Sequence, residues 1–249
     1  MFSRPIHLDR SAAARFVMAF AAFGTLTGCQ AIVSSTPEAQ VRIIDATPDA
    51  PGLDIYQGSN ALAYNLGFGT VTSYISLTPG TYTISADSAG TKQVLSSSKA
   101  TFGASSQYTV LIGNSAASLQ QLTLTDQSQP APSGQIALRF IDQATRIGAV
   151  DIYLIPAGQK LTAAAPLITG ILFGVNTGYV NIPTGVYSIV MLPSGTVPIS
   201  TTVATYTGPQ ITYSGGAANT IILIDQQLVS TPGLQVITAN DFTPPGATS

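Results

Sequence analysis

The sequence predicts an all-β protein: two tandem immunoglobulin-like or transthyretin-like β-sandwich domains that follow a lipoprotein signal peptide. Three observations predict it. A block of strand-like segments occurs twice, turn-forming Gly, Pro, Asn and Asp punctuate those segments about every 8 to 12 residues, and the first 29 residues have the layout of an export signal.

The signal comes first in the chain. Arg4, Arg10 and Arg15 precede an apolar run from Phe16 to Leu26, followed by Thr27, Gly28 and Cys29. That run is far shorter than the roughly 20 residues a helix needs to cross hydrocarbon, so residues 1–28 read as a processed signal rather than a membrane span. Leu26-Thr27-Gly28-Cys29 resembles the bacterial lipobox, which implies cleavage before Cys29 and diacylation of its sulfur. Each buried methylene contributes about 0.8 kcal/mol, so several acyl chains suffice to hold the protein to a membrane. The predicted location is therefore the cell envelope, lipid-anchored. Gln30 stands where an aspartate would signal inner-membrane retention, which places the expectation at the outer membrane if the source has one. Cys29 is the only cysteine, so no intrachain disulfide is available and the core alone must hold the fold.

Residues 29–40 are polar and read as a lipidated tether. The repeat begins next, at Val41-Arg42-Ile43-Ile44-Asp45, which recurs as Leu138-Arg139-Phe140-Ile141-Asp142, while Asp54-Ile55-Tyr56 recurs as Asp151-Ile152-Tyr153. Phe68, Tyr74, Gly80, Tyr82 and Ile84 reappear as Phe173, Tyr179, Gly185, Tyr187 and Ile189, with a spacing eight residues longer than before. The second copy thus carries an insertion around Ala157 to Pro166, in a loop, where extra length costs little. Leu119 through Asp126 matches Leu234 through Asp241. The expected organisation is repeat 1 at 41–126, a Pro- and Ser-rich linker at 127–135, repeat 2 at 136–242 and a tail at 243–249.

Within each copy, seven or eight short strands are expected, with no amphipathic helix. Thr78-Pro79-Gly80 separates two strand-like segments, Val71 to Leu77 and Thr81 to Ala86, and reads as a tight turn between antiparallel strands. Tyr82, Ile84 and Ala86 alternate with Thr81, Thr83 and Ser85, the pattern of a sheet with one buried face. A small closed barrel is the alternative, and strand order is not deducible.

The run from Val41 to Tyr56, with Phe68-Gly69 and Leu77-Thr78-Pro79-Gly80-Thr81-Tyr82, resembles a domain of unknown function (family 4397) that occurs, often in tandem, in bacterial envelope lipoproteins and secreted proteins. Asp45 departs from the family, which more often has histidine there. The second copy departs further, with Thr145-Arg146-Ile147-Gly148 in place of the Pro-Asp-Ala-Pro element. The resemblance implies fold and location and carries no activity with it.

Composition excludes most chemistry. After Cys29 the chain has six basic and ten acidic residues, so no basic patch exists to bind nucleic acid. The only histidine is His7, inside the signal, which removes Ser-His-Asp triads, Cys-His pairs, histidine-ligated zinc and histidine-ligated haem. No phosphate loop and no nucleophile elbow is present. Paired carboxylates among Asp45, Asp49, Asp54, Asp142 and Asp151 leave a carboxylate-based glycan hydrolase as a remote alternative. The expectation is a protein that is not an enzyme, with no cofactor beyond the lipid.

Asp45, Asp49 and Asp54 crowd three carboxylates into one loop. They either cap turns by accepting backbone N–H groups or hold calcium, which takes carboxylate and carbonyl oxygens. In the second copy Arg146 stands near the place of Asp49, so a cation site would belong to repeat 1 alone. The paired tyrosines 56/153, 74/179 and 82/187 read as core or tyrosine-corner residues; Tyr64, Tyr108, Tyr206 and Tyr213 have no clear counterpart, and any exposed recognition tyrosine is expected among them. The leading functional expectation is a non-catalytic binding or adhesion module facing an envelope polymer or protein. A structural spacer or assembly component is the alternative.

Overall fold

The computed structural model describes residues 37–227 and 233–245; Cys29 and the predicted signal lie outside them. Short β-branched runs between turn residues build sixteen strands among the described residues and no α-helix; Ala116–Ser118 and Leu161–Ala163 are single 3-10 turns. Repeat 1 comprises β1 (Ala39–Asp45), β2 (Leu53–Gln57), β3 (Asn60–Leu66), β4 (Ile75–Leu77), β5 (Gly80–Ser88), β6 (Val94–Phe102), β7 (Gln107–Gly113) and β8 (Gln120–Thr125). Repeat 2 comprises β9 (Gln135–Asp142), β10 (Val150–Pro156), β11 (Ile168–Ile171), β12 (Asn176–Pro183), β13 (Gly185–Pro193), β14 (Tyr206–Tyr213), β15 (Ala218–Asp225) and β16 (Leu234–Phe242).

Each repeat is a two-sheet sandwich, and the strand orders correspond one to one. Repeat 1 has sheets β4-β1-β7-β8 and β3-β2-β5-β6; repeat 2 has β12-β9-β15-β16 and β11-β10-β13-β14. The first and seventh strands of each copy run parallel, Arg42 beside Thr109 and Arg139 beside Thr220, and the other pairings are antiparallel. Between the sheets of repeat 1 lie Val41, Ile43, Leu53, Ile55, Ile84, Phe102 and Val110; between those of repeat 2 lie Leu138, Phe140, Ile152, Ile189, Ile221 and Leu223.

One expectation is corrected. Thr78-Pro79-Gly80 does not close a hairpin, because β4 pairs with β1 in one sheet while β5 pairs with β2 and β6 in the other. It is a corner at which the chain changes sheets. Tyr82 folds back over it and donates its hydroxyl to the Thr78 carbonyl at 2.9 Å; Tyr187 does the same to Pro183 at 3.1 Å. The ring lies so close that a Cβ on Gly80 would meet it at 3.0 Å, and one on Gly185 at 2.9 Å, so the glycine and the tyrosine two residues on are a matched pair.

The repeats do not hang separately from the linker. Ile44, Leu111 and Leu124 of repeat 1 pack against Ile141, Ile222, Ile224 and Ile237 of repeat 2 in a shared apolar layer. Buried charges are exchanged beside it. Arg42 donates to the Asn240 carbonyl (2.8 Å) and to Asp241, while Arg139 donates to the Thr125 carbonyl (3.1 Å) and to Asp126 (2.6 Å). Thr109 and Thr220 bridge the same groups: each hydroxyl receives the Nε–H of its repeat's arginine and donates to the carboxylate of its own repeat. Tyr74 and Tyr179 complete the set. Each donates its hydroxyl to an aspartate of this cluster, and each ring lies under a guanidinium at 5.0 and 4.7 Å. These two tyrosines were expected in a core or corner; they serve the inter-repeat contact instead. Reciprocal exchange of the same patch is the pattern of a two-fold dimer, here formed within one chain. Burial pushes the Asp241 carboxyl up, an effect that Arg42 opposes. Any slip between the repeats would leave buried charges unpaired.

The linker is pinned as well. Ala131 is buried against Ala137 and Ala218, and its N–H bonds the Gly216 carbonyl at 2.9 Å.

Candidate binding faces

The aspartates of the Asp45–Asp54 loop sit in separate hydrogen-bond sets. Asp45 is buried and accepts from the backbone N–H (2.9 Å) and the hydroxyl of Thr47; Asp49 accepts from Ala116 N–H at 2.8 Å; Asp54 accepts from Asn65 N–H (2.8 Å) and Gly90 N–H (3.1 Å). Among the described residues no group of three His, Cys, Asp or Glu side chains is placed to hold a metal ion. In repeat 2, Asp142 accepts from Ala144 N–H at 2.8 Å, and Asp151 accepts from Gly170 N–H, Gly195 N–H and the Ser194 hydroxyl. The Arg146 Nε lies 3.7 Å from Asp225. Burial pushes Asp45 up to about 6, against the two Thr47 hydrogen bonds; burial also pushes Asp142 up to about 6, against the Ala144 amide. Burial raises Asp151 too, but its three donors outweigh that and hold it below the usual range.

The outer faces of the two sandwiches differ. In β3-β2-β5-β6, Asp54 stands opposite Asp87 and Tyr56 opposite Ser85, so these four side chains share the face that points away from the core. Tyr64, 69% exposed, meets Tyr56 edge to face with ring centroids 6.1 Å apart. Ser97 and Lys99 continue this face on β6, opposite Ser85 and Thr83. Asp87 is buried, and its Oδ1 has no hydrogen-bond partner among the described residues. Burial, with Asp54, Tyr64 and Asp87 nearby, raises the Tyr56 phenol. This face therefore joins two tyrosines and several hydroxyls, with Asp87 buried beneath them.

Repeat 2 closes the equivalent face. Leu192 stands opposite Asp151, where repeat 1 has Asp87, and Tyr153, Ile155, Val190 and Leu192 form a small apolar cluster. Leu161 and Ala164, from the eight-residue insertion, pack onto it together with Ala204. Tyr153 is consequently buried while its counterpart Tyr56 is not. The insertion recognised from repeat spacing is thus the element that covers one face and, by its absence, leaves the other open.

Of the four unmatched tyrosines, only Tyr64 is largely exposed. Tyr108 packs edge-on against Phe102 and accepts the Gly103 N–H at 2.9 Å, and Tyr213 is buried. The Arg–Asp cluster between the repeats escaped sequence reasoning. Its signal was present: in a chain poor in charge, an arginine recurs inside two apolar strands and an aspartate recurs at the ends of β8 and β16.

Residues 39–153 match the family model described as a domain of unknown function, DUF4397. Over that segment the chain is similar to the DUF4397 family. The DUF4397 match covers repeat 1, the linker and the first strands of repeat 2, and so includes Asp126 and Arg139 but not Asp241. No curated protein matches the chain. Among solved structures, similarity extends to the Bacillus anthracis TIE protein, with 11% identity over 77% of this chain and a TM-score of 0.23. The chain spans about a third of that protein, 34% of its length. A streptococcal virulence factor described in alpha-glucan binding is 9% identical over 74% of this chain and 92% of its own, with a TM-score of 0.25. A family 26 carbohydrate-binding module from Eubacterium rectale Amy13K, in complex with maltoheptaose, is 10% identical over 84% of this chain and 98% of its own, with a TM-score of 0.24. Superpositions this weak carry no argument about what the DUF4397 segment binds.

Proposed function

We propose that the protein is a non-catalytic binding module of the cell envelope. The lipid on Cys29 holds it to a membrane, the outer one where the source has two, and the open face of β3-β2-β5-β6 grips a hydroxyl-rich envelope polymer. One observation carries the reading: Tyr64 and Tyr56 meet edge to face on a sheet face that the other repeat covers. Tyrosine rings offer apolar area to the flat face of a sugar, and their hydroxyls can pair with its own. Co-sedimentation of the full-length protein with insoluble envelope glycan tests it. Tyr64→Ala should weaken binding by about threefold to tenfold, the range expected for one aromatic contact; unchanged sedimentation of that variant would refute the reading. Cys29→Ser should release the protein from membranes, and its retention at wild-type level would refute the anchor.

A spacer role is the second reading, favoured by the buried ion pairs that join the two repeats. It predicts that Tyr64→Ala is silent while substitutions at Arg42 or Arg139 disable the protein.

A further inference from the structure

Repeat 2 contains a cavity beside Tyr213, and the difference between the two copies explains it. Tyr213 pairs with Gly185 as Phe102 pairs with Gly80, and Asn219 lies beside Leu138 as Tyr108 lies beside Val41. Phe102 and Tyr213 are therefore equivalent positions, as are Tyr108 and Asn219. In repeat 1 the Tyr108 ring packs against Phe102 at 5.2 Å and its oxygen accepts the Gly103 N–H, which fills the end of the sandwich between β6 and β8. In repeat 2 asparagine replaces that ring, and a cavity of about 170 Å³ opens between β14 and β16.

Its walls include Tyr213, Asn219, Asn240, Thr238, Phe242 and Pro244, and no acidic or basic residue. Asn219 and Asn240 stand opposite each other across β15 and β16, so their amides share a face. Among the described residues the Asn219 side chain makes no hydrogen bond. Among the described residues the Tyr213 hydroxyl is buried without a partner, and burial, with Tyr206 nearby, pushes it up to about 12, so it stays a donor at neutral pH. A buried hydroxyl left unpaired costs on the order of 1–3 kcal/mol, which a ligand oxygen placed there recovers.

We propose that this cavity is a binding site for one uncharged, hydroxylated sugar ring, with Asn219 and Asn240 pairing its hydroxyls, Tyr213 donating to a ring or acyl oxygen, and Phe242 and Pro244 meeting its apolar face. A charged ligand would find no counter-charge in these walls. At roughly 30 Å³ per water the cavity holds about five or six waters, which suits a single ring; sites for drug-sized ligands run from about 300 Å³ upward. The site is independent of the open face of repeat 1.

The test uses the full-length protein with free glucose and free N-acetylglucosamine, read by saturation-transfer NMR and titration. At least one sugar should bind at millimolar concentration. Asn219→Tyr, which restores the ring that repeat 1 carries, should abolish binding and leave co-sedimentation with polymer through Tyr64 unchanged. Tyr213→Phe should weaken binding by about threefold to tenfold, the worth of one hydrogen bond, without lowering the unliganded melting temperature, since no internal bond is lost. Should Asn219→Tyr not fold, Tyr213→Phe decides alone. Absence of binding by both sugars, or full binding by either variant, overturns the proposal.

Discussion

Replacing Arg42 by methionine removes a charge while leaving most of the side-chain stem, and it isolates the contact between the repeats. Arg42 is 2% exposed and gives up three hydrogen bonds in the substitution: to Thr109 Oγ1, to the Asn240 carbonyl and to Asp241. Asp241 retains the Thr220 and Tyr179 hydroxyls, but the nearest remaining cation is Arg139 at 4.0 Å, already committed to Asp126 at 2.6 Å. Two positive and two negative charges thus become one positive and two negative in a site closed to water. Breaking a buried pair from one side costs about 3–5 kcal/mol, against a typical total stability of roughly 5–15 kcal/mol. Urea unfolding of the full-length protein, followed by far-UV circular dichroism and tyrosine fluorescence, should show a loss of that size, with a transition that broadens or splits as the repeats uncouple. Arg139→Met should cost the same through the mirror contacts. Asp241→Asn added to Arg42→Met should restore part of the loss, because it removes the orphaned charge and keeps an acceptor for Thr220 and Tyr179; a coupling above about 1 kcal/mol is expected for groups in one network. A loss below about 1 kcal/mol for Arg42→Met, or strict additivity in the double variant, would refute the reasoning.

Three further outcomes follow from the same geometry. Asp45 and Asp142 are raised to about 6 by burial, so the folded protein holds protons that the unfolded chain gives up near 4; stability from these groups is greatest below about pH 4 and falls as pH rises through about 6, by roughly 3 kcal/mol each at most. Melting curves across that window should show the decline, and Asp45→Asn with Asp142→Asn should flatten it; an undiminished slope in that double variant would count against the burial account. Gly80→Ala and Gly185→Ala should each destabilise by about 1–3 kcal/mol, since the new methyl meets the Tyr82 or Tyr187 ring, and a crystal structure of either variant with its tyrosine hydroxyl still bound to the upstream carbonyl would contradict the cause. Millimolar calcium should leave the melting temperature unchanged, because Asp45, Asp49 and Asp54 are each bound to separate backbone donors; a calorimetric titration with stoichiometric heat would show otherwise.

The fold class was legible because it rests on local chemistry repeated in register. Alternation of β-branched and polar residues reports which strand faces are buried, turn residues mark where strands stop, and the recurrence of Arg42 to Tyr56 as Arg139 to Tyr153 reveals two copies. The change in repeat spacing located the insertion that covers Tyr153. What alternation does not report is the surface against which a buried face lies. Thr78-Pro79-Gly80 has the chemistry of a hairpin turn, yet its flanking strands find different partners, and only long-range pairing decides between hairpin and sheet-changing corner. Arg42 and Asp241 are 199 residues apart, and their contact exists only because two folded sandwiches meet face to face. Asn219 reads as an ordinary strand residue in sequence, and Tyr213 as one of four tyrosines without a counterpart, whereas the fold buries it. Their cavity arises from the loss of one ring at a position where the other repeat has it, a difference of volume that becomes visible only once the two cores are packed.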